Sequence, residues 1–292
     1  MMGYFRAVPE RGETVNCILG RYRESLLPIH DANEAKAISR EVFRHRFGWD
    51  AYQLDQHSMD PLTADQSDDL ETTLARLVNG EPLQYVLGSA LFMGLELFVG
   101  AGVLIPRPET EELVDRILTS GRMPENIVDI GTGSGCIALA LKHAFPDACV
   151  SGTDVSEQAL EIAQRNANAT GLDVQFICSD VLLDTFGIPQ GCDLVVSNPP
   201  YIPRTEELSL ANHVRAHEPG LALFVDHVDP ILFYRRIAEK AWIALLPGGA
   251  IWFEGHHLYA VDVGVMLGDM GFRSVNVTRD LSGNPRFISA IR

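Results

Sequence analysis

No apolar run in this chain reaches the ~18 residues that a membrane-spanning helix needs. The first ten residues, Met1-Met-Gly-Tyr-Phe-Arg-Ala-Val-Pro-Glu10, lack the long apolar core and small-residue cleavage site of a secretory signal, so no signal peptide is expected. Cysteine is sparse: the five residues at 17, 136, 149, 178 and 192 form no CxxC pair. They fit small core residues in a reducing, cytoplasmic compartment better than a disulfide framework. Nine histidines make no HExxH, and the adjacent His256 and His257 fall on divergent faces of a strand or a helix, so no metal site is expected. Basic residues are few, 23 against 39 acidic ones, for a net charge of −16. A non-specific grip on phosphate backbones needs clustered Lys and Arg, and this balance opposes it.

What is present describes an ordinary globular protein, with 46% hydrophobic and 21% charged residues. A length of 292 residues suffices for a full core and two domains. Residues from about 12 to 79 read as helices. Asp31 is a good N-cap with Glu34 three residues on, as in a capping box, and Ala35, Ile38, Val42 and Phe43 share one helical face before Gly48. Thr63 caps a further helix with the stripe Leu70, Leu74, Leu77 and Val78, ended by Gly80 and Pro82. Leu95, Leu97 and Val99 then alternate, Gly100-Ala-Gly102 can turn, and Val103-Leu-Ile105 returns, which predicts a β-hairpin. Arg107, between two prolines, is either part of a rigid surface loop or a site wall.

From Asn126 onward, strands and helices alternate as in a parallel sheet. Ile127–Ile130 reads as a strand, Gly131-Thr-Gly133-Ser-Gly135 as a loop, and residues 137–144 as a helix. Further strands are predicted over 149–154, 174–178, 194–196, 250–253, 272–278 and 285–291. Helices are predicted after Ser156, over 233–245 and near 259–270, with Pro247-Gly-Gly249 as a turn. No element is assigned between Tyr201 and Phe233.

Four strand ends carry candidate chemistry. The loop is GxGxG rather than GxGxxG, and a lone glycine loop is a weak signal. Its context is stronger, because Asp154 closes the next strand 21 residues after Gly133, where a carboxylate can accept both hydroxyls of a ribose. Asp180 ends the third strand, where an adenine edge would lie. Leu194-Val-Val196 then runs into Ser-Asn198-Pro199-Pro200-Tyr201. The prolines end the ladder and fix the turn. Asn198 thus stands at the carboxyl end of a strand, where open α/β sheets bind their ligands. The Asn198 side-chain oxygen and the Pro199 carbonyl can accept both N–H bonds of an NH2 on planar carbon, and Tyr201 can cover its flat face. Without phosphate-binding glycine spacing, the ligand that fits is S-adenosylmethionine rather than a dinucleotide.

These motifs resemble the class I S-adenosylmethionine-dependent methyltransferases, and among them the HemK/PrmC release-factor glutamine methyltransferases. The resemblance rests on Gly80-Glu-Pro82-Leu-Gln-Tyr85-Val-Leu-Gly88, Leu104-Ile-Pro-Arg107-Pro-Glu-Thr110-Glu111, Asp129-Ile-Gly-Thr-Gly-Ser-Gly135, Val195-Val-Ser-Asn198-Pro-Pro-Tyr201-Ile202 and Glu218-Pro219. It covers nearly the whole chain. It implies an α/β, Rossmann-like fold with a seven-stranded, mostly parallel sheet, a small N-terminal helical domain and a linking β-hairpin. The expected boundaries are 1–84 for a helical domain recognising the release factor, 85–106 for the hairpin linker and 107–292 for the catalytic domain. The implied reaction methylates the side-chain amide nitrogen of the glutamine in the Gly-Gly-Gln motif of peptide chain release factors. Gly131, Thr132, Gly133, Ser134, Gly135, Asp154, Asp180, Val181 and Asn198 would hold the cofactor. Asn198, Pro199, Pro200 and Tyr201 would hold the glutamine, with Asn198, Pro199 and Tyr201 catalytic. Val181 stands where some members carry a large aromatic residue.

Two rivals remain. An amino-methyltransferase acting on adenine or guanine of nucleic acid shares the Asn-Pro-Pro-Tyr motif, but a basic groove is missing. A non-catalytic module that binds a nucleotide or a release factor predicts no turnover and tolerance of change at Asn198. The preferred expectation is a monomer that binds neither membrane nor nucleic acid.

Overall fold

The computed structural model describes residues 13–225 and 229–292, so the reading of the first ten residues lies outside the described ones. The chain divides between Leu87 and Gly88 into two compact units.

The first unit is helical: α1 (Val15–Leu26), α2 (Ala32–Phe47), α3 (Ala51–Gln56), α4 (Ala64–Val78) and α5 (Leu83–Leu87). Asp31 caps α2 by accepting from the N–H groups of Asn33 and Glu34 at 2.8 and 2.9 Å. Glu34 does not close a capping box; its carboxylate pairs with His30 at 3.0 Å instead. Thr63 and Gln66 do form the reciprocal pair at the start of α4. Gly48 ends α2 at φ 72, a conformation open to glycine at little cost. Ile38, Val42, Phe43, Leu70, Leu74 and Leu77 share one core, whereas Val78 lies off the stripe at 43% exposure.

The second unit opens with a hairpin of β1 (Ser89–Phe92) and β2 (Leu95–Phe98), paired antiparallel with Phe92 opposite Leu95. The turn is therefore Met93-Gly94 and not Gly100–Gly102. Both turn residues have positive φ, 47 and 79, the two-residue geometry that matches strand twist. The sequence conceals it, because methionine occupies a position that usually holds Asn, Asp or Gly. Val103 and Ile105 are buried but lie in a loop rather than a returning strand.

There follow α6 (Pro108–Thr119), β3 (Asn126–Ile130), α7 (Cys136–Ala144), β4 (Cys149–Asp154), α8 (Glu157–Thr170), β5 (Gln175–Cys178) and β6 (Cys192–Ser197). An insert then holds β7 (Ile202–Pro203), a 3-10 turn over Arg204–Ser209, α9 (Asn212–His217), α10 (Gly220–Leu223) and β8 (Phe224–Val225). These pieces are too short to show periodicity, and no pattern in the sequence marks them. The chain closes with α11 (Leu232–Ala244), β9 (Leu245–Glu254), α12 (Ala260–Asp269), β10 (Arg273–Arg279) and β11 (Pro285–Ile291). Pro247-Gly-Gly249 is a bulge within β9 rather than a turn before it, since Cys192 faces Leu245 and Leu194 already faces Ala250.

The seven-stranded sheet has the order β10-β11-β9-β6-β3-β4-β5. Pairing is parallel from β9 to β5, and β11 runs against both its neighbours. Both faces are covered, as parallel strands require. Ile127, Leu194 and Val196 meet α6 and α7 on one side, while Val128, Val195 and Ile251 meet α11 and α12 on the other. This is the Rossmann-like sheet of class I methyltransferases. From β3 the chain moves outward to β4 and β5, then returns to lay β6 on the other flank of β3, so a crevice opens between the ends of β3 and β6.

Leu113 in α6 is fully buried, so Leu113→Ala should cost about 2–5 kcal/mol of unfolding free energy in a denaturant titration. Leu281→Ala, at a residue 90% exposed, should stay within about 0.5 kcal/mol of the parent.

Candidate active site

One cavity of about 220 Å³ sits at that crevice, lined wholly from the second unit. The loop after β3 supplies Gly131, Thr132, Gly133 and Ser134. Asp154 comes from the end of β4, Asp180 and Val181 follow β5, and Asn198, Pro199 and Pro200 follow β6. Ten sites named from the sequence thus meet in one place. Gly135 and Tyr201 do not line the cavity. Gly135 turns the chain into α7 at φ 82, where an added Cβ would stand 3.2 Å from both Ala163 and Phe176. Its requirement for glycine is one of backbone conformation and packing. Tyr201 turns its hydroxyl away to donate to Glu254 Oε1 at 3.1 Å.

Gly131 and Gly133 have φ of 73 and 55, and nothing lies within 4 Å of where a Cβ would stand. The backbone there is bare toward the crevice, a cradle for a ligand to approach closely. Asp154 is held by two backbone donors, Gly133 N–H to Oδ2 and Ser156 N–H to Oδ1, each at 2.9 Å. Burial pushes its carboxyl above the ordinary range, and those two bonds pull it back in part. Asp180 accepts from Leu182 N–H at 2.8 Å.

Besides Arg107, for which the sequence leaves loop and site wall open, Thr110, Glu218 and Glu254 stand at the site without being expected there. Arg107 lines the cavity and pairs with Glu218, whose side chain is fully buried, at 2.5 Å. Glu218 also accepts from Ile105 N–H at 3.2 Å, so the two chain segments quoted for the resemblance clasp each other beside the cavity. Arg107 is thus a site wall. Thr110 and Glu254, both buried, lie behind Asn198. Asn198 Nδ2 donates to Thr110 Oγ1 at 3.2 Å, and the Thr110 hydroxyl donates to Glu254 Oε2 at 2.7 Å. Tyr234 donates to the Glu254 carbonyl at 3.1 Å. Burial raises the Glu254 carboxyl, opposed by the Thr110 and Tyr201 bonds and by the charge of Arg286. No periodicity announces these side chains; the signal was the polar Glu254 at the end of an apolar strand. Cys136 also lines the cavity, but burial pushes its thiol up to about 12, which makes it a neutral wall and not a nucleophile.

Among the described lining residues the only cation is Arg107, already paired, against the two carboxylates of Asp154 and Asp180. A pyrophosphate would find no free positive partner here. A cationic ligand carrying a ribose fits both the charge and the bare glycine cradle.

The sequence is 41% identical over 280 residues to a release factor glutamine methyltransferase of Bacteroides thetaiotaomicron, covering 95% of this chain and 100% of that one. The chain belongs to the release factor glutamine methyltransferase family. A Flavobacterium psychrophilum protein of the same description is 41% identical over 75% of this chain and 78% of its own. The family described as PrmC N-terminal domain matches residues 22–88, and the methyltransferase small domain matches residues 109–215. A solved methyltransferase from Pyrococcus furiosus shares the fold, with a TM-score of 0.52 at 19% identity over 78% of this chain and 98% of that one. In this member, the glycine loop is braced from beneath by Asp129, fully buried, whose Oδ2 accepts from the Thr132 hydroxyl at 2.6 Å.

Desolvation raises Asp129 from 3.8 to about 7. The folded protein therefore binds this proton more tightly than the unfolded chain does. Its stabilising effect is full below the unfolded value of 3.8, shrinks as pH rises, and is gone above about 7. Asp129→Asn should flatten the pH dependence of unfolding free energy between these limits, while Asp154 and Glu254, raised in the same direction, keep contributing a slope of the same sign in the variant. Urea titrations of both proteins at several pH values would show it, and a parent-like slope in the variant would place the ionisation elsewhere.

Proposed function

We propose that this protein transfers a methyl group from S-adenosylmethionine to the side-chain amide nitrogen of the glutamine in the Gly-Gly-Gln motif of peptide chain release factors. The observation that carries the reading is Asn198-Pro199-Pro200 facing Asp154 across one crevice, in a chain aligned with its relatives over nearly its full length. S-adenosylmethionine, when bound, supplies a methyl group on a positively charged sulfur.

Gly131 and Gly133 let the backbone approach this cofactor, Asp154 accepts from its ribose hydroxyls, and Asp180 and Val181 flank its adenine. The amide nitrogen of glutamine is a poor nucleophile, because its lone pair is delocalised into the carbonyl. The protein's contribution is therefore position, which can be worth up to ~7–11 kcal/mol. The Asn198 side-chain oxygen and the Pro199 carbonyl accept the two N–H bonds of the acceptor and aim its nitrogen. Pro200 fixes the turn. Tyr201 acts from behind, through Glu254, rather than as a cover over the acceptor. The first unit serves to recognise the release factor, residues 85–106 join it to the catalytic part, and the protein works as a cytoplasmic monomer.

A nucleic-acid amino group would suit the same acceptors, but a net charge of −16 opposes a polyanionic partner. Mass spectrometry of a purified release factor after incubation with the protein and S-adenosylmethionine should show one added methyl on the Gly-Gly-Gln glutamine, absent from a Gln→Ala acceptor. No gain, with cofactor bound, would redirect the search to nucleic-acid acceptors. Asn198→Ala should lower kcat by about 10²–10³, as for loss of one preorganised polar group. Asp154→Ala should chiefly raise the cofactor Kd in calorimetry, and an unchanged Kd would remove the ribose assignment.

A further inference from the structure

Behind Asn198, the order of donors and acceptors is determined by one group. Both hydroxyls that touch Glu254 donate to it, Thr110 to Oε2 at 2.7 Å and Tyr201 to Oε1 at 3.1 Å, the pattern of a carboxylate held beside the charge of Arg286. Thr110 has a single hydroxyl proton, spent on Glu254 Oε2. Toward Asn198, 3.2 Å away, it can only accept. Asn198 must then turn its NH2 end to Thr110, and its carbonyl Oδ1 becomes the end left for the cavity. No described residue donates to that oxygen. An amide side chain is nearly symmetric in shape, so without this relay its two ends would compete for the same place.

We propose that Thr110 and Glu254 are positioning residues that set the polarity of the Asn198 amide, so that the site offers an acceptor, and not a donor, to the incoming NH2 group. The assignment rests on the function proposed above. It gives the site a chemical selectivity. A flipped Asn198 would point N–H at N–H, repelling the substrate amide while welcoming a carbonyl or a carboxylate. The relay is anchored in rigid elements: Thr110 stands in the first turn of α6, and Glu254 ends β9. Both are nearly sealed from solvent, at 2% and 1% exposure, so water does not substitute for either partner.

The alternative is that these groups merely tie α6 to the sheet, and the two roles differ in what they move. Thr110→Val keeps the volume and removes the hydroxyl. It should lower kcat about tenfold, the bias that one hydrogen bond to the amide supplies, while leaving the cofactor Kd unchanged. Thr110→Ala, with no methyl to clash, should lose the same factor even if the valine variant folds poorly. Thr110→Ser restores the hydroxyl and should restore kcat. In an Asn198→Ala background, Thr110→Ala should cost no further activity, since there is no amide left to orient. An undiminished kcat in both hydroxyl-free variants, an additive loss in the Asn198→Ala background, or a loss confined to cofactor affinity would each overturn the assignment. A parent protein inactive on release factor would overturn the function and this assignment together, whereas an active parent with unaffected variants overturns the assignment alone.

Discussion

The parallel pairing of β3 with β6 is the constraint on which the site depends. Ile130 stands opposite Ser197, and the Ser197 hydroxyl donates to the Ile130 carbonyl at 2.6 Å, which locks the last step of the ladder. One residue further along each strand, the chains part as Gly131 and Asn198. A slip of one position would exchange the two faces of β6 and bury its strand end differently. The apolar run Leu194-Val-Val196 resists this, since all three side chains are fully buried, on alternate faces, between two helical layers. The glycine loop and the Asn198 turn are thus placed together by sheet register, ahead of any contact between their own side chains.

That placement has an electrostatic consequence. Asp129, Asp154 and Glu254 all lie at or near carboxyl ends of strands, and desolvation raises all of them. Buried carboxylates cost stability unless donors surround them. Here the donors also belong to the wall of the cavity: the Thr132 hydroxyl and Gly133 N–H in the glycine loop, and the Thr110 hydroxyl behind Asn198. The carboxylates tie down the loops that line the cavity, and the loops satisfy the carboxylates.

Much of this was legible in the sequence, for reasons that can be named. The buried runs of β3 and β6 are nearly unbroken in apolar residues, β4 ends in the polar pair Thr153-Asp154 and β5 runs into Ser179-Asp180, so all four strands were legible from residue type. Helix caps at Asp31 and Thr63 were legible because the capping atoms are local. What was not legible depended on distance or on brevity. The hairpin turn was misplaced because Met93 adopts a positive φ that its type does not advertise. The insert between Tyr201 and Phe233 is built of elements of two to six residues, below the length at which a period shows. Thr110, Glu218 and Glu254 act through partners 88 to 144 residues away, and spacing along the chain carries no mark of such pairs.

The same separation of local from distant information bears on substrate choice. A backbone carbonyl and an amide oxygen can accept from any NH2 on planar carbon, so on the proposed reading the crevice by itself would treat a glutamine amide and a nucleobase amine alike. Discrimination has to come from a longer range. A polynucleotide brings a dense row of negative charge, which a net charge of −16 opposes. A glutamine held in a glycine-rich peptide brings little charge of its own and a slim backbone, and the cavity is bordered by Pro106, Pro219 and Leu221, apolar groups suited to a chain rather than to a sugar-phosphate strand. On the function proposed above, Asn198 would select the atom to be methylated, and the field of the whole molecule would favour a peptide over a polyanion as the chain that presents it.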